Sequence, residues 1–183
     1  IRTLNSLWQG EEVTFRDGSD RQSPIRIYPK PLQAQLPMWL TSAGANETFI
    51  EAGRLGLNLL THLLGQTVDE VAGKIALYRE SLARHGFDPD SRKVTLMILT
   101  YLEADYDSAI NKAREPFKRY MRAHVGLIKS LTDSLQHAVD NVDPENIESV
   151  VSYAFDRYSK SAAFIGTPES CLPIYQQLRE AGV

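Results

Sequence analysis

The residues best placed to do chemistry lie between Leu36 and His62. Ser42, Ala43, Gly44 and Ala45 follow a short apolar run, and their small side chains let a ligand come close to the backbone. Asn46 is a helix N-cap type, and Glu47 then falls in the first turn, where its charge is favourable. Backbone N–H groups at such a turn, with the hydroxyls of Ser42 and Thr48, suit a phosphate. A tight strand-to-helix turn that uses small residues only for packing has the same pattern. The remaining chemistry is sparse. His85, His124 and His137 fall on helical stretches without metal-ligand spacing, and Cys171 has no cluster around it, so no metal is expected. No Walker loop, Gly-x-Gly-x-x-Gly fingerprint or Ser-His-Asp set occurs. Arg114, Lys118, Arg119 and Arg122 share one helical face, which by default is a solvated one.

The elements that must position this turn follow from periodicity. Residues 37–41 and 57–61 are apolar runs too short for helices and read as buried parallel strands, with a helix between them that packs through Phe49, Ile50, Ala52, Gly53 and Gly56. Thr67 caps a helix over 68–85, with Val71, Ala72, Ile75, Tyr78 and Leu82 facing inward. Residues 93–102 make a third strand. A helix follows from Asp105, with Pro116 kinking it or starting another, and a long amphipathic stretch runs over 117–139. Asp143 opens a helix reaching about Tyr158. Thr167 opens the last one, whose apolar face is Leu172, Ile174, Tyr175 and Leu178, with Cys171 packed beside it and Gly182 as its stop. Ahead of the first strand, Leu4, Leu7 and Trp8 mark a helix, and Glu12–Phe15 and Ile25–Tyr28 flank Asp17-Gly18 as a β-hairpin over 12–28. Three parallel-type strands alternating with helices argue for an α/β fold, 1–183 as a single domain.

The bulk figures narrow the class. The chain has 183 residues, 43% hydrophobic and 23% charged, with a net charge of −3 and no basic cluster, which argues against nucleic acid. No apolar run is long enough to span a membrane. A single cysteine fits a reducing, cytoplasmic setting. The chain opens at Ile1-Arg2-Thr3-Leu4 as if inside a helix and is expected to start within a longer parent.

Four blocks carry a resemblance: Leu7-Trp8-Gln9-Gly10 with Val13-Thr14-Phe15; Pro29-Lys30-Pro31-Leu32-Gln33 running to Leu36-Pro37-Met38-Trp39; Leu59-Leu60-Thr61-His62-Leu63-Leu64-Gly65-Gln66; and Phe164-Ile165-Gly166-Thr167-Pro168-Glu169. On these the chain resembles the luciferase-like flavin-dependent monooxygenases, in particular their natural-product biosynthesis subgroup. The resemblance implies part of a TIM (β/α)8 barrel, about strands 5–7 with their helices, with the hairpin as an excursion and 120–165 as a helical insertion; the eighth strand is then absent. It implies an FMN phosphate at Ser42, Ala43, Gly44, Asn46 and Thr48, and places Thr61 at the isoalloxazine edge and His62 on the substrate side, since barrel enzymes collect ligand contacts at strand C-termini. It further implies oxygenation of an organic substrate by reduced FMN and O2, the FMN reduced by a separate reductase. The substrate is a small molecule or a carrier-bound intermediate, whose acidic carrier would meet the basic face of Arg114, Lys118, Arg119 and Arg122. An F420-dependent oxidoreductase and a non-catalytic flavin-binding or scaffold module are the alternatives. The early strands lie outside this sequence, so no catalytic residue is named, and the chain alone is expected to be inactive. It is expected to associate with itself or with the missing barrel half.

Overall fold

The computed structural model describes residues 1–123 and 147–183. They fall into two compact units, Ile1–Met38 and Trp39–Val183.

In the first unit, helix α1 (Arg2–Trp8) leads into an antiparallel pair, β1 (Val13–Arg16) and β2 (Gln22–Ile25). The second arm therefore starts earlier than the alternation of Ile25 to Tyr28 suggests. Asp17 is the reason: its carboxylate accepts from the N–H groups of Ser19 and Arg21 at 2.8 and 3.0 Å, and that tightens the loop. These donors hold the Asp17 carboxyl below its usual range. Pro24 sits opposite Thr14 on this two-stranded ribbon, where an edge position tolerates it. The Trp8 indole donates to the Gln33 carbonyl at 2.9 Å and ties the helix to the connector.

The second unit alternates strand and helix. Its elements are β3 (Trp39–Thr41), α2 (Asn46–Arg54), β4 (Asn58–His62), α3 (Val68–Arg84), a 3-10 turn at Pro89–Ser91, β5 (Val94–Met97), β6 (Thr100–Leu102), α4 (Tyr106–Ala123), α5 (Ile147–Ser161), β7 (Phe164–Gly166) and α6 (Pro168–Glu180). Strands β3, β4 and β5 form a parallel sheet in that order, and β6 pairs in parallel with β7. Two expectations are corrected here. The strand read as 93–102 is two segments interrupted at Ile98 and Leu99, the first serving β4 and the second serving β7. A further parallel strand, Phe164–Gly166, follows α5; three residues ending in glycine are too few for periodicity to reveal.

The core explains the alternation. Leu59 and Thr61 on β4 are buried, whereas Asn58, Leu60 and His62 on the other face are only partly covered. Val71, Ile75, Tyr78 and Leu82 form the expected inner stripe of α3, and Thr67 caps it in a reciprocal box with Glu70. Gly53 sets the approach of α2 to α3: a Cβ there would lie 2.6 Å from both the Tyr78 carbonyl oxygen and the Ser81 Cβ. The buried Tyr78 hydroxyl donates to the Leu57 carbonyl at 2.7 Å. Helix α4 runs unbroken through Pro116. On α6 the buried face is Cys171, Ile174 and Leu178, while Leu172 and Tyr175 are exposed, so the apolar stripe is rotated from the expected one. The stretch beyond Ala123, including most of 117–139 and the helix start at Asp143, lies outside the described residues.

Candidate functional site

The site grows from the end of β3. The Ser42 N–H donates to the Leu60 carbonyl at 2.9 Å and carries the ladder one residue past the strand. Ser42 is buried, and its hydroxyl accepts from the Gly44 N–H at 3.2 Å while contacting the Ala45 carbonyl at 3.4 Å. The side chain thus shapes the turn instead of facing outward. Gly44 has φ of +132°, which disfavours any side chain, and a Cβ there would meet the Gln66 Oε1 at 3.1 Å and the Lys74 Nζ at 3.5 Å.

The N-cap of α2 is Ala45, one residue before the Asn46 expected for it. Alanine offers no oxygen, and no side chain caps this helix. The N–H groups of Asn46 and Glu47 are left to water or a ligand. Asn46 is then the first helical residue, Glu47 lies in the first turn as expected, and the Thr48 N–H closes on the Ala45 carbonyl at 3.1 Å. Ala43 is exposed and Thr48 is half-buried on the same turn.

The strand-end residues divide their roles. Thr61 is buried, and its hydroxyl donates to the Ser42 carbonyl at 3.0 Å, so it fixes the turn from beneath. His62 is half-buried and its Nδ1 accepts from the Leu64 N–H at 3.1 Å, which leaves the ring proton on Nε2. Burial pushes the His62 pKa down, so it is held as a neutral donor.

Two residues that the sequence did not single out complete the arrangement. Gln66 is buried; its amide donates to the His62 carbonyl at 2.8 Å and its Oε1 accepts from Lys74 Nζ at 2.7 Å. Lys74, on α3, thereby aims an ammonium at the Gly44 turn, and among the described residues it forms no ion pair. Gln66 belongs to the Leu59–Gln66 block, a signal that could have drawn attention to it. Lys74 has no local signal, because only the docking of α3 on α2 brings it to the turn.

The basic face is elsewhere and differently used. Arg114 pairs with Asp156 at 2.9 Å over the Phe155 ring, Lys118 is nearly buried and bonds Glu148, and Arg122 bonds Glu148 at 2.7 Å. That face is a seam between α4 and α5, with Arg119 left outside it; His124 and His137 fall outside the described residues. No group of His, Cys, Asp and Glu suited to a metal ion occurs among the described residues, and none of their helices is long and apolar enough to cross a membrane.

The sequence profile of the luciferase-like monooxygenases matches residues 1–183. The chain belongs to that family. The family is one of flavin-dependent oxidoreductases, and its solved members show the same mixed α/β fold. Monooxygenase RslO1 from Streptomyces bottropensis superposes with a TM-score of 0.65 at 20% identity, over 99% of this chain and 49% of its own. An F420-dependent secondary alcohol dehydrogenase, solved with an F420–acetone adduct, gives 0.66 at 19%, over 100% and 51%. The oxygenating constituent of 3,6-diketocamphane monooxygenase from the CAM plasmid of Pseudomonas putida, solved with FMN, gives 0.62 at 15%, over 99% and 52%. The chain therefore spans about half the length of these structures. At these identities the likeness is one of fold. No curated protein sequence matches the chain.

Proposed function

We propose that the chain forms the phosphate-binding part of an FMN-dependent monooxygenase. One observation carries this reading: the N-terminus of α2 has no side-chain cap and opens beside Gly44, where the absent side chain lets Gln66 and Lys74 close on the turn, so that Lys74 brings a positive charge. The residues fit a phosphate monoester. The first-turn N–H groups of Asn46 and Glu47, the Thr48 hydroxyl and the Lys74 ammonium would hold it; Ser42 and Thr61 keep the turn in shape, and Ala43 leaves its approach open. His62, fixed as an Nε2–H donor, would face the ring system or substrate. When bound, reduced flavin supplies the electrons for O2 chemistry. The chain's own part is to bind, orient and exclude water.

The test compares FMN with riboflavin, which lacks the phosphate, by fluorescence titration of the purified chain. The expected result is saturable FMN binding, about tenfold or more tighter than riboflavin. Equal affinity for the two would overturn the phosphate assignment.

F420 is the second reading, because the F420-dependent dehydrogenase superposes as well as the monooxygenase does. Hydride transfer from an alcohol to F420, without O2 uptake, would favour it. The completing strands, a reductase, a small or carrier-bound biosynthetic substrate, self-association and a cytoplasmic setting belong to the same proposal for the whole protein. The exposed Trp39 and Met97 on the β3–β4–β5 sheet fit a face that further strands would cover.

A further inference from the structure

A cavity of about 300 Å3 lies where the N-terminal end of α3 meets α5 and α6, with Gln66, Thr67, Asp69, Arg157, Tyr158 and Gln177 in its wall. Four of its polar residues decide what it can hold. Gln66 has both ends of its amide engaged, and Thr67 is committed to the α3 capping box. The Tyr158 oxygen accepts from the Gly65 N–H. Burial raises the Tyr158 pKa, so the phenol keeps its proton, and among the described residues that proton has no acceptor. Arg157 is half-buried and makes no hydrogen bond or ion pair through its guanidinium among the described residues; Glu70 acts on it only at a distance. Among the described residues, the Arg157 guanidinium and the buried Tyr158 hydroxyl are thus donors without acceptors in the lining of one cavity, beside the exposed Gln177 amide. Among the described residues no bonded anion neutralises Arg157, and a ligand carboxylate would supply one.

We propose that this cavity binds a small monocarboxylate, held by the forked N–H groups of Arg157 and by the Tyr158 hydroxyl. A planar carboxylate matches the guanidinium fork, and both bonds would be charge-assisted. Asp69 in the same wall repels any anion, a dianion about twice as strongly as a monoanion, and so disfavours phosphate more than a single carboxylate. The volume is at the small end of ligand sites. Val68 and Ala162 give the rest of such a molecule an apolar surface. The assignment is independent of the flavin reading, since none of its donors is a group proposed to hold the phosphate.

The test is calorimetric titration of the 183-residue chain with benzoate, methyl benzoate and inorganic phosphate. Saturable benzoate binding is expected, with the ester and phosphate each about tenfold weaker or worse. Arg157→Gln should weaken benzoate by about tenfold or more, and Tyr158→Phe by a smaller factor. Absence of saturation up to about 20 mM, roughly 2 kcal/mol weaker than a millimolar site, overturns the proposal. So does equal binding of acid and ester, or unchanged affinity in folded Arg157→Gln. Should that variant not fold, modification of wild-type Arg157 by phenylglyoxal decides: protection by benzoate supports the site, and no protection removes it.

Discussion

Lys74 brings charge to a turn whose own side chains supply none that is positive. Among the described residues its ammonium is bonded by the neutral Gln66 amide and by no carboxylate, which leaves the charge to a ligand. Hydrogen bonds to charged groups contribute about 1.5–3 kcal/mol. Lys74→Gln is therefore expected to weaken FMN by about tenfold or more while leaving riboflavin nearly unchanged. Fluorescence titration of both flavins checks this, and a parallel loss for riboflavin would mean that Lys74 only supports the fold. Ser42→Ala tests a different role. Because the Ser42 hydroxyl bonds the Gly44 N–H inside the turn, its loss should cost stability, about 1 kcal/mol in urea unfolding, as well as FMN affinity. His62 adds a pH dependence. Burial lowers its folded pKa below the ordinary 6.5, so the unfolded chain takes up the proton first and stability falls as pH drops below about 6.5. In His62→Asn that part of the decline should disappear from the urea midpoint measured between about pH 7 and 5.

The elements owe their placement to close approaches and capped ends. Helix α2 reaches α3 only because residue 53 is glycine, and the atoms a Cβ would strike are backbone as well as side chain. Alanine at an exposed helix site gains up to about 1 kcal/mol over glycine, whereas overpacking costs about 1–3. Two of the atoms a Cβ would strike belong to the α3 backbone, so Gly53→Ala is expected to be destabilising by about 1–2 kcal/mol, seen as a lower urea midpoint. A gain in stability would mean that the helices separate easily. At the other end of the unit, Glu103 joins β6 to α4. It accepts from Lys112, Tyr101 and Ser108 at 2.7, 2.6 and 2.7 Å, and these bonds lower its pKa to about 2. Its contribution is present above the unfolded carboxyl pKa near 4.5 and is lost as pH falls toward about 2. Glu103→Gln should remove part of the stability loss in that window, followed by circular dichroism. The bonds are solvent-accessible, so the effect is small beside the core terms.

For the molecule as a whole, half the length of its structural relatives sets the expectation for activity. The chain should bind FMN yet consume no O2 above the free-flavin rate when supplied with NADH and a flavin reductase, as read on an oxygen electrode. Substrate-dependent oxygen uptake by the chain alone would overturn this expectation. Local patterning by itself determined the strand–turn–helix at Ser42 to Thr48, the capped helices at Thr67 and Thr167 and the alternating α/β order, because caps, glycines and apolar spacing act over a few residues. The family could be read from four short blocks for the same reason. Tertiary structure alone decided the rest. The break between β5 and β6 depends on which neighbour each segment pairs with, and β7 is too short to be visible without its partner. The α4 cations became a seam because Asp156 and Glu148 arrive on another helix. Lys74 faces Gly44, and Arg157 shares a cavity with Gln66, through contacts between residues far apart in sequence. No local pattern encodes such meetings; they follow from burying one helix face against another.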